Sequence, residues 1–400
     1  IKTRIATLVV TITLVASSVL SPLEYIWCGM RVPNGFYSRT AFLLSFFALW
    51  AAEYALQKLN ERPTFRRAHR PAIIMPLLAL TAIELFANAH VMWNQLYTGY
   101  SEEANSAYVA TATNTITAIQ SQDSASFYRI DRTTTRADSA ALNEGLALGY
   151  DQLSSYSSAN NPQAIALVNS LGYSSVGEFS TRYAEPILAV DALLGVKYAI
   201  PENAPAGYVS AKTNQAGSTS AVYKNPYALS IGVAASSDIQ NSTLKIENPF
   251  EKQNDLYSKI LGREVKLYTK IEPTSTENSD SLKQWSVTVP ASSIGYLYIN
   301  KDATAGSYWP VALTIDQRTI ENEAWRFDNN IRQIADTSDA PSQHTVSIEV
   351  AEGYTDMPQD NEPVFYALNL DVFKQIINEL KTSEFIPTVF EDGRMTATCC

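Results

Sequence analysis

The sequence predicts a membrane α-helical segment of about three transmembrane helices, followed by an extracellular, mainly-β domain of jelly-roll or sandwich type with some helix. Three observations lead to this fold class. The first 100 residues contain three long apolar runs. They carry nine Lys and Arg against four Asp and Glu, whereas the totals of 30 and 40 leave 21 basic and 36 acidic residues for the rest. After Tyr100, short runs of β-branched and aromatic residues alternate with Asn, Gly, Ser and Pro, as strands alternate with turns.

The three apolar runs predict three membrane-spanning helices. They cover residues 5–20, 40–56 and 71–87, and flanking residues extend the spans to about 5–21, 40–58 and 71–92. Such runs are at the short end of what crosses about 30 Å of hydrocarbon. A cleavable signal peptide is the alternative for the first run, but no small-residue cleavage site follows it.

Basic residues orient the predicted spans. The connection between the second and third runs contains Lys58, Arg62, Arg66, Arg67 and Arg70. Positive charge keeps a short connection of this kind cytoplasmic, so the loop 22–39 lies outside. We therefore expect residues 1–97 to form a multi-pass membrane segment and residues 98–400 to form an extracytoplasmic domain. Because the sequence stops directly after strand-like residues, we expect that domain to be truncated at its C-terminus.

Composition excludes several classes of function. The net charge near −15 after residue 100 repels phosphate backbones, so a nucleic-acid partner is not expected. Three Cys and three scattered His residues provide neither a disulfide framework nor zinc-ligand spacing, so we expect no metal site. The sequence also lacks a phosphate-binding Gly-Lys-Ser/Thr loop and a Gly-x-Ser-x-Gly nucleophile motif.

The outer loop 22–39 contains three candidate substrate-binding residues, Glu24, Arg31 and Arg39. Charges at a membrane surface can position the phosphate of a lipid carrier or a sugar hydroxyl. The alternative interpretation is a solvated loop whose Arg side chains reach back to lipid headgroups.

Glu84 and Asn88 are the candidates inside the membrane segment. An ionisable side chain within an apolar run costs free energy unless it faces a polar cavity or a partner, so Glu84 is a functional candidate by default. Asn88 follows one helical turn later and shares its face. A structural hydrogen bond to a neighbouring helix is the alternative, and it stays open.

The remainder of the chain predicts many short strands and two helices. Predicted strands cover residues 197–200, 228–234, 265–271, 285–289, 295–299, 310–315, 346–350 and 364–368. An Ala- and Thr-rich helix is predicted at 105–120. A second helix is predicted at 371–381, where Phe373, Ile376, Ile377 and Leu380 form a helical stripe that packs on a sheet.

Several short stretches are informative as an ordered set along the chain. They are Pro22-Leu-Glu-Tyr-Ile-Trp27, Arg31-Val-Pro-Asn34, Tyr37-Ser-Arg39, Phe127-Tyr-Arg-Ile-Asp131, Leu146-Ala-Leu-Gly-Tyr-Asp151, Ser154-Ser-Tyr-Ser-Ser158, Leu171-Gly-Tyr-Ser174, Asp191-Ala-Leu-Leu-Gly-Val-Lys-Tyr198 and Asn248-Pro-Phe-Glu-Lys-Gln-Asn254. Taken in order, they resemble the YfhO-like family of bacterial membrane proteins. The ordered set covers most of the chain and is more specific than any one stretch.

The resemblance implies a glycosyltransferase of the C type in the bacterial cell membrane. Such an enzyme moves a sugar from a polyprenyl-phosphate carrier to a cell-wall polymer such as teichoic acid, and membrane lipid is its third partner. It implies a catalytic Asp or Glu in an earlier loop, so the catalytic residues of this chain are unknown. Cys28 stands where the resemblance leads one to expect His. No cofactor is evident, and a divalent metal is compatible with the chemistry.

A non-enzymatic protein is the competing class. In that interpretation the outer domain binds wall carbohydrate or a partner enzyme, and the spans serve as an anchor.

Overall fold

The computed structural model describes residues 2–30, 41–61, 70–96, 102–133, 142–176, 179–211, 221–243, 248–299, 311–320, 330–337, 339–350, 362–391 and 394–399. The chain divides into two compact units, unit 1 (residues 1–100) and unit 2 (residues 101–400).

Unit 1 is helical in the part that the structure describes. Its helices are α1 (Lys2–Val19), α2 (Ser21–Trp27), α3 (Ala41–Asn60) and α4 (Arg70–Leu96). The first helix packs against the second and third. Most described apolar side chains of α3 and α4 are exposed, and the longest helix, α4, has Pro76 within its first two turns. A proline inside a helix removes the backbone hydrogen bond to the residue four positions earlier, and its ring crowds that residue's carbonyl.

Helices therefore occupy all three predicted spans, but three membrane-crossing helices are not confirmed. By length and composition, Ile74–Asn94 is the one described segment that could cross a membrane. The apolar part of α1, Ile5–Ser17, is shorter, and at 1.5 Å per residue it extends only about 20 Å. In α3 the polar residues Glu53, Gln57 and Lys58 interrupt the last two turns. The extracellular location of unit 2 stays a prediction.

Unit 2 begins with an α/β part. Helix α5 (Glu102–Gln122) lies on a four-stranded sheet of order β1-β5-β7-β6. Its strands are β1 (Arg129–Arg132), β5 (Val196–Ile200), β6 (Val209–Ala211) and β7 (Val222–Lys224), and the first two are parallel. The helix packs here because Ile116 and Ile119 join Ile130, Tyr198 and Val222 in one apolar cluster.

Short elements connect this sheet to the rest of unit 2. They are α6 (Glu144–Leu148), α7 (Pro162–Ser170), α8 (Leu188–Leu193), a 3₁₀ turn (Ser237–Asn241), α9 (Pro249–Leu261), and the small sheet formed by β2 (Ser155–Tyr156), β3 (Ser174–Val176) and β4 (Ser180–Arg182). Asn161 and Asn248 start α7 and α9 in the same way. Each side chain accepts two backbone N–H groups, and each is followed by proline at the first helical position.

Two antiparallel sheets form the β-rich part. One has the order β10-β11-β16-β13-β14 and the other β15-β12-β17-β9. The strands are β9 (Tyr268–Ile271), β10 (Thr274–Asn278), β11 (Leu282–Val289), β12 (Ser293–Ile299), β13 (Val311–Ile315), β14 (Arg318–Ile320), β15 (Arg332–Thr337), β16 (Ser342–Val350) and β17 (Pro363–Asn369). Their facing side chains, including Trp285, Leu313 and Phe365, share one core, so the two sheets form a sandwich.

Strand β12 is buried along its whole length, because both of its faces are covered. Leu297 and Ile299 point into the sandwich core, while Ile294 and Tyr296 belong to a second core shared with the helices. That second core includes the apolar face of α10 (Leu370–Lys381). Near the end of the chain, β18 (Glu384–Glu391) pairs with β19 (Arg394–Cys399) on one side and with the short β8 (Gly232–Val233) on the other.

The prediction of a mainly-β second part with several sheets is confirmed, and so are the helices predicted at 105–120 and 371–381. The α/β part was not predicted. The strand predicted at 228–234 is wrong over most of its length, because only Gly232–Val233 pairs. Ahead of it the chain turns at Asn225, whose side chain accepts the N–H of Tyr227, and Leu229 packs into the helix-side core.

Candidate functional site

The membrane-type helix α4 presents Glu84 and Asn88 on one face, one turn apart. Both side chains are exposed, and both lie within the apolar segment Ile74–Asn94. On another face, Asn94 Nδ2 and His90 Nε2 are 2.9 Å apart and the His90 ring stacks on Phe86. The helix therefore carries a two-residue polar patch within an apolar stretch.

The other three predicted site residues are not placed by the structure. Arg31 and Arg39 lie outside the described residues. The backbone of Glu24 lies in α2, but its side chain is outside what the structure describes. Their predicted contact with a lipid phosphate stays a prediction, as does a cavity shared with Glu84 and Asn88.

Unit 2 contains a second candidate, a polar cleft that we call the Glu185 cleft. It has a volume of about 530 Å³. Its walls are residues 184–186, the loop 201–205, strand residues 318–320 and 332–334, and Thr133. Small-molecule sites typically fall between roughly 300 and 1,000 Å³, so the cleft has the size of a ligand site.

An ion-pair cluster forms the floor of the Glu185 cleft. Arg318 Nη1 donates to Glu185 Oε1 at 2.8 Å, and Arg332 Nη1 lies 3.6 Å from Glu185 Oε2. The backbone N–H of Gln333 also donates to Glu185 Oε1, at 3.3 Å. Glu185 is 9% exposed and Arg332 7% exposed. Burying Glu185 and Arg332 costs desolvation free energy that their attraction only partly returns, so these two side chains are held in place by the surrounding fold, whereas Arg318 stays partly exposed.

The loop at the mouth of the cleft is tied down on both sides. The N–H of Ala206 donates to Gln333 Oε1 at 2.9 Å, and the N–H of Gly207 donates to Asp336 Oδ2 at 3.3 Å. The N–H of Glu202 donates to Thr133 Oγ1 at 3.1 Å. Gly207 has φ +75°, and a Cβ there would lie 2.4 Å from Leu188 Cδ2, so only glycine fits this approach.

Sequence reasoning missed the Glu185 cleft. Its charged residues come from the segment before α8 and from two strands of the sandwich, and Arg318 is 133 positions from Glu185. No local pattern links residues so far apart. Glu185, Arg318 and Arg332 are each charged residues in or near a strand-like run, but many other residues of the chain share that property.

A buried carboxylate, Asp191, organises the core beside the cleft. It is fully buried and accepts hydrogen bonds from the hydroxyls of Tyr173, Tyr183 and Tyr208 and from the N–H of Ile187. Burial raises the pKa of Asp191 to about 7, against the lowering effect of the three hydroxyls. With every lone pair satisfied inside the core, this carboxylate has a structural role.

Asp131 is a second buried carboxylate of the same kind. It accepts from Ser154 Oγ at 2.7 Å and from the N–H groups of Leu153 and Ser154 at 2.6 and 3.2 Å. Burial raises its pKa to about 6, while those donors lower it. The neighbouring Arg132 and Glu144 form a buried ion pair at 3.1 Å.

Both carboxylates, Asp131 and Asp191, belong to stretches that carried the family resemblance. In addition, Gln253 Nε2 donates to the carbonyl of Leu171 at 2.9 Å, and Asn254 bonds both backbone groups of Tyr268. The structure thus buries particular side chains of these stretches, including Asp131, Asp191 and Gln253, as supports of the fold. Among the described residues, no group of three or more His, Cys, Asp or Glu side chains is placed to hold a metal ion.

Comparison with known proteins gives a family match. The family model described as Bacterial membrane protein YfhO matches residues 1–67 and 63–399, which is nearly the whole chain. No curated protein and no solved structure matches.

Proposed function

The chain belongs to the YfhO family of bacterial membrane proteins, and from that premise we propose that it is part of a polytopic membrane glycosyltransferase. In this proposal the enzyme transfers a sugar from a polyprenyl-phosphate carrier to a cell-wall polymer, such as teichoic acid, on the outer face of the membrane.

The placement of Glu84 is the observation that carries the proposal. A carboxylate within an apolar membrane segment costs several kcal/mol unless a polar cavity or a partner receives it. Glu84 is exposed on α4, and Asn88 extends the same polar patch. A patch that combines a carboxylate with an amide suits the hydroxyl groups of a sugar at the level of the membrane.

The proposed reaction is nucleophilic substitution at the anomeric carbon. A carboxylate takes the proton of the acceptor hydroxyl as its oxygen bonds to the anomeric carbon, and the bond from that carbon to the phosphate oxygen breaks. Negative charge then develops on the departing lipid phosphate. Arg31 and Arg39 are the proposed partners of that charge, because guanidinium binds phosphate through paired hydrogen bonds. No residue of this chain is assigned as the catalytic carboxylate.

The orientation belongs to the proposal as well. Basic residues between α3 and α4 favour a cytoplasmic connection, which would place the N-terminal side of unit 2 outside. The substrates of wall-polymer glycosylation are found on that side.

Glu84→Gln in the full-length protein tests the proposal. The amide preserves size and one hydrogen bond but removes the charge, so we expect transfer of radiolabelled sugar from polyprenyl phosphate to fall at least tenfold. Arg39→Lys should lower transfer similarly, since Lys cannot form the paired bonds. The matched control is Glu53→Gln in α3, an exposed carboxylate that accepts from Gln57 at 3.2 Å, and it should leave transfer unchanged.

Wild-type transfer by both Glu84→Gln and Arg39→Lys would contradict the proposal. In that case unit 1 serves as an anchor, and the non-enzymatic wall-binding function takes precedence.

A further inference from the structure

We infer that the Glu185 cleft of unit 2 is a binding site for a neutral oligosaccharide segment of the acceptor polymer; in a teichoic acid this is a sugar-containing part and not the poly(glycerol phosphate) backbone. Its role as an acceptor site rests on the proposed function, but binding itself is argued from the cleft alone.

The charge of the cleft selects a neutral ligand. Among the described residues, its lining carries two carboxylates, Glu185 and Glu202, and two guanidiniums, Arg318 and Arg332. Both guanidiniums interact with Glu185, so these four side chains together carry no net positive charge to hold an anionic polymer. The surrounding chain after residue 100 is strongly acidic, which further disfavours a polyphosphate ligand.

The polar groups of the cleft match the hydroxyl groups of sugars, which both donate and accept hydrogen bonds. Arg318 is partly exposed and uses one nitrogen for Glu185 and another for the carbonyl of Gln333, at 2.8 and 2.6 Å. A guanidinium has five N–H donors, so it has further donors to offer. On the rim, the exposed side chains of Glu202, Asn203 and Thr319 provide acceptors and donors.

The cleft is preorganised. The loop 201–207 is fixed by Thr133, Gln333 and Asp336 through three backbone N–H groups. A fixed wall loses little conformational entropy when a ligand binds. This matters for sugars, because each hydroxyl exchanges hydrogen bonds to water for hydrogen bonds to protein, with only a small net gain in binding free energy. Pro186, Pro201 and Pro205 add rigid C–H surface to the lining.

A purely structural ion pair is the other explanation of the floor, because Glu185 precedes α8 while Arg318 and Arg332 belong to the sandwich. That explanation accounts for the floor but not for the 530 Å³ of open space above it. The decisive variants therefore fill this space and leave the ion pairs intact.

Ala204→Trp and Thr319→Trp are those variants. Both residues are exposed and line the cleft from different elements, Ala204 from the loop 201–205 and Thr319 from β14. Ala159→Trp is the matched control, an exposed alanine of unit 2 that does not line the cleft. The purified full-length protein in detergent is immobilised, and binding is measured by biolayer interferometry. The probes are neutral gluco-, galacto- and N-acetylglucosamine oligosaccharides of two to four residues, together with poly(glycerol phosphate).

We expect at least one neutral oligosaccharide to bind, and each cleft-filling variant to weaken its Kd at least tenfold, while Ala159→Trp stays within twofold. Glu202→Gln should weaken the neutral ligand severalfold, because a carboxylate is the stronger acceptor. Absence of binding by every neutral probe would overturn the inference. Unchanged oligosaccharide binding by both tryptophan variants would also overturn it. So would binding of poly(glycerol phosphate) that becomes stronger in Glu202→Gln.

The transfer assay separates this inference from the proposed function. If the cleft binds acceptor, Ala204→Trp should raise KM for the polymer while kcat at saturation is kept. If cleft variants transfer normally but Glu84→Gln is inactive, the acceptor role of the cleft is refuted and the proposed function stands. If Glu84→Gln and Arg39→Lys transfer normally while Ala204→Trp loses oligosaccharide binding, the cleft is a binding site and the proposed function fails.

Discussion

Removal of the Asp191 carboxylate should destabilise unit 2 more than any other single deletion of a polar group in its core. The side chain is completely buried, and its two oxygens accept four hydrogen bonds. In Asp191→Ala the hydroxyls of Tyr173, Tyr183 and Tyr208 lose their acceptor together. The proposed change therefore tests whether this network holds the family-matching stretches in place.

The magnitude follows from the number of orphaned donors. A buried donor without a partner costs about 1–3 kcal/mol. Three hydroxyls give an upper range of roughly 3–9 kcal/mol, but Tyr183 and Tyr208 also hydrogen-bond to each other, so these two keep a partner when the carboxylate is removed. We expect about 4 kcal/mol, a large part of the roughly 5–15 kcal/mol that stabilises a domain.

Tyr208→Phe provides the graded comparison. It removes one donor, whose Oη lies 2.6 Å from Asp191 Oδ2, and leaves the other three in place. We expect a loss of about 1 kcal/mol. Tyr156→Phe is the matched control, since that tyrosine is 54% exposed and its loss should stay within about 0.5 kcal/mol.

Thermal protease sensitivity measures these changes on the full-length, tagged protein in membrane vesicles. For a unit of this size, 1 kcal/mol shifts the midpoint by roughly 2–4 °C. Asp191→Ala should then lower the midpoint by roughly 8–16 °C, and Tyr208→Phe by a quarter of that. A midpoint for Asp191→Ala within the range of the Tyr156→Phe control would refute the reasoning.

Two further predictions concern pH and topology. Because burial holds the pKa of Asp191 at about 7 and that of Asp131 at about 6, the folded unit binds protons that an unfolded Asp, with a pKa of about 3.9, does not bind. The stability of unit 2 should therefore fall as pH rises from about 4 to about 7. The thermal midpoint of protease sensitivity at pH 5 should exceed that at pH 8, and Asp191→Asn should reduce this difference. An equal difference in the variant would contradict the assignment of the pH dependence to Asp191. For topology, with Cys28 replaced, a cysteine at Thr64 should resist an impermeant thiol reagent in intact cells while one at Ser218 reacts, and the opposite labelling would reverse the orientation.

The strands of the sandwich and the helix α10 were predictable, because their sequence patterns are local. In β11, Trp285, Val287 and Val289 alternate with less buried residues, as a strand with one core face requires. In α10, apolar residues recur at helical spacing, and that face is buried. Each pattern needs only its own segment of sequence to be recognised.

Helix α9 was not predicted, although Asn248 and the proline after it are a helix start. The reason is that its buried positions are polar. Lys252, Gln253 and Asn254 are all buried, so the apolar period that marks a helix is interrupted. Their partners are distant in sequence or irregular in structure: Lys252 Nζ donates to Ser242 Oγ at 3.0 Å. Such burial is stable only when each polar group finds its partner, and the sequence alone does not show those partners.

The candidate sites differ in the same way. Glu84 could be found from sequence because it is an ionisable residue within an otherwise apolar segment. The Glu185 cleft could not, since its floor exists only after the segment before α8 meets strands β14 and β15. A site can be predicted from sequence when one residue is unusual for its own segment. A site that tertiary contacts assemble from distant segments cannot be predicted in this way.

The positions of the matching stretches bear on how function should be sought in this family. Asp131, Asp191, Gln253 and Asn254 all lie in such stretches, and all are buried with their hydrogen bonds directed into the fold. A match over these residues therefore identifies the architecture of unit 2. It does not identify a substrate, because side chains enclosed in a core cannot contact one. Substrate chemistry has to be assigned to polar groups that solvent or lipid can reach, and Glu84 and the rim of the Glu185 cleft meet that requirement.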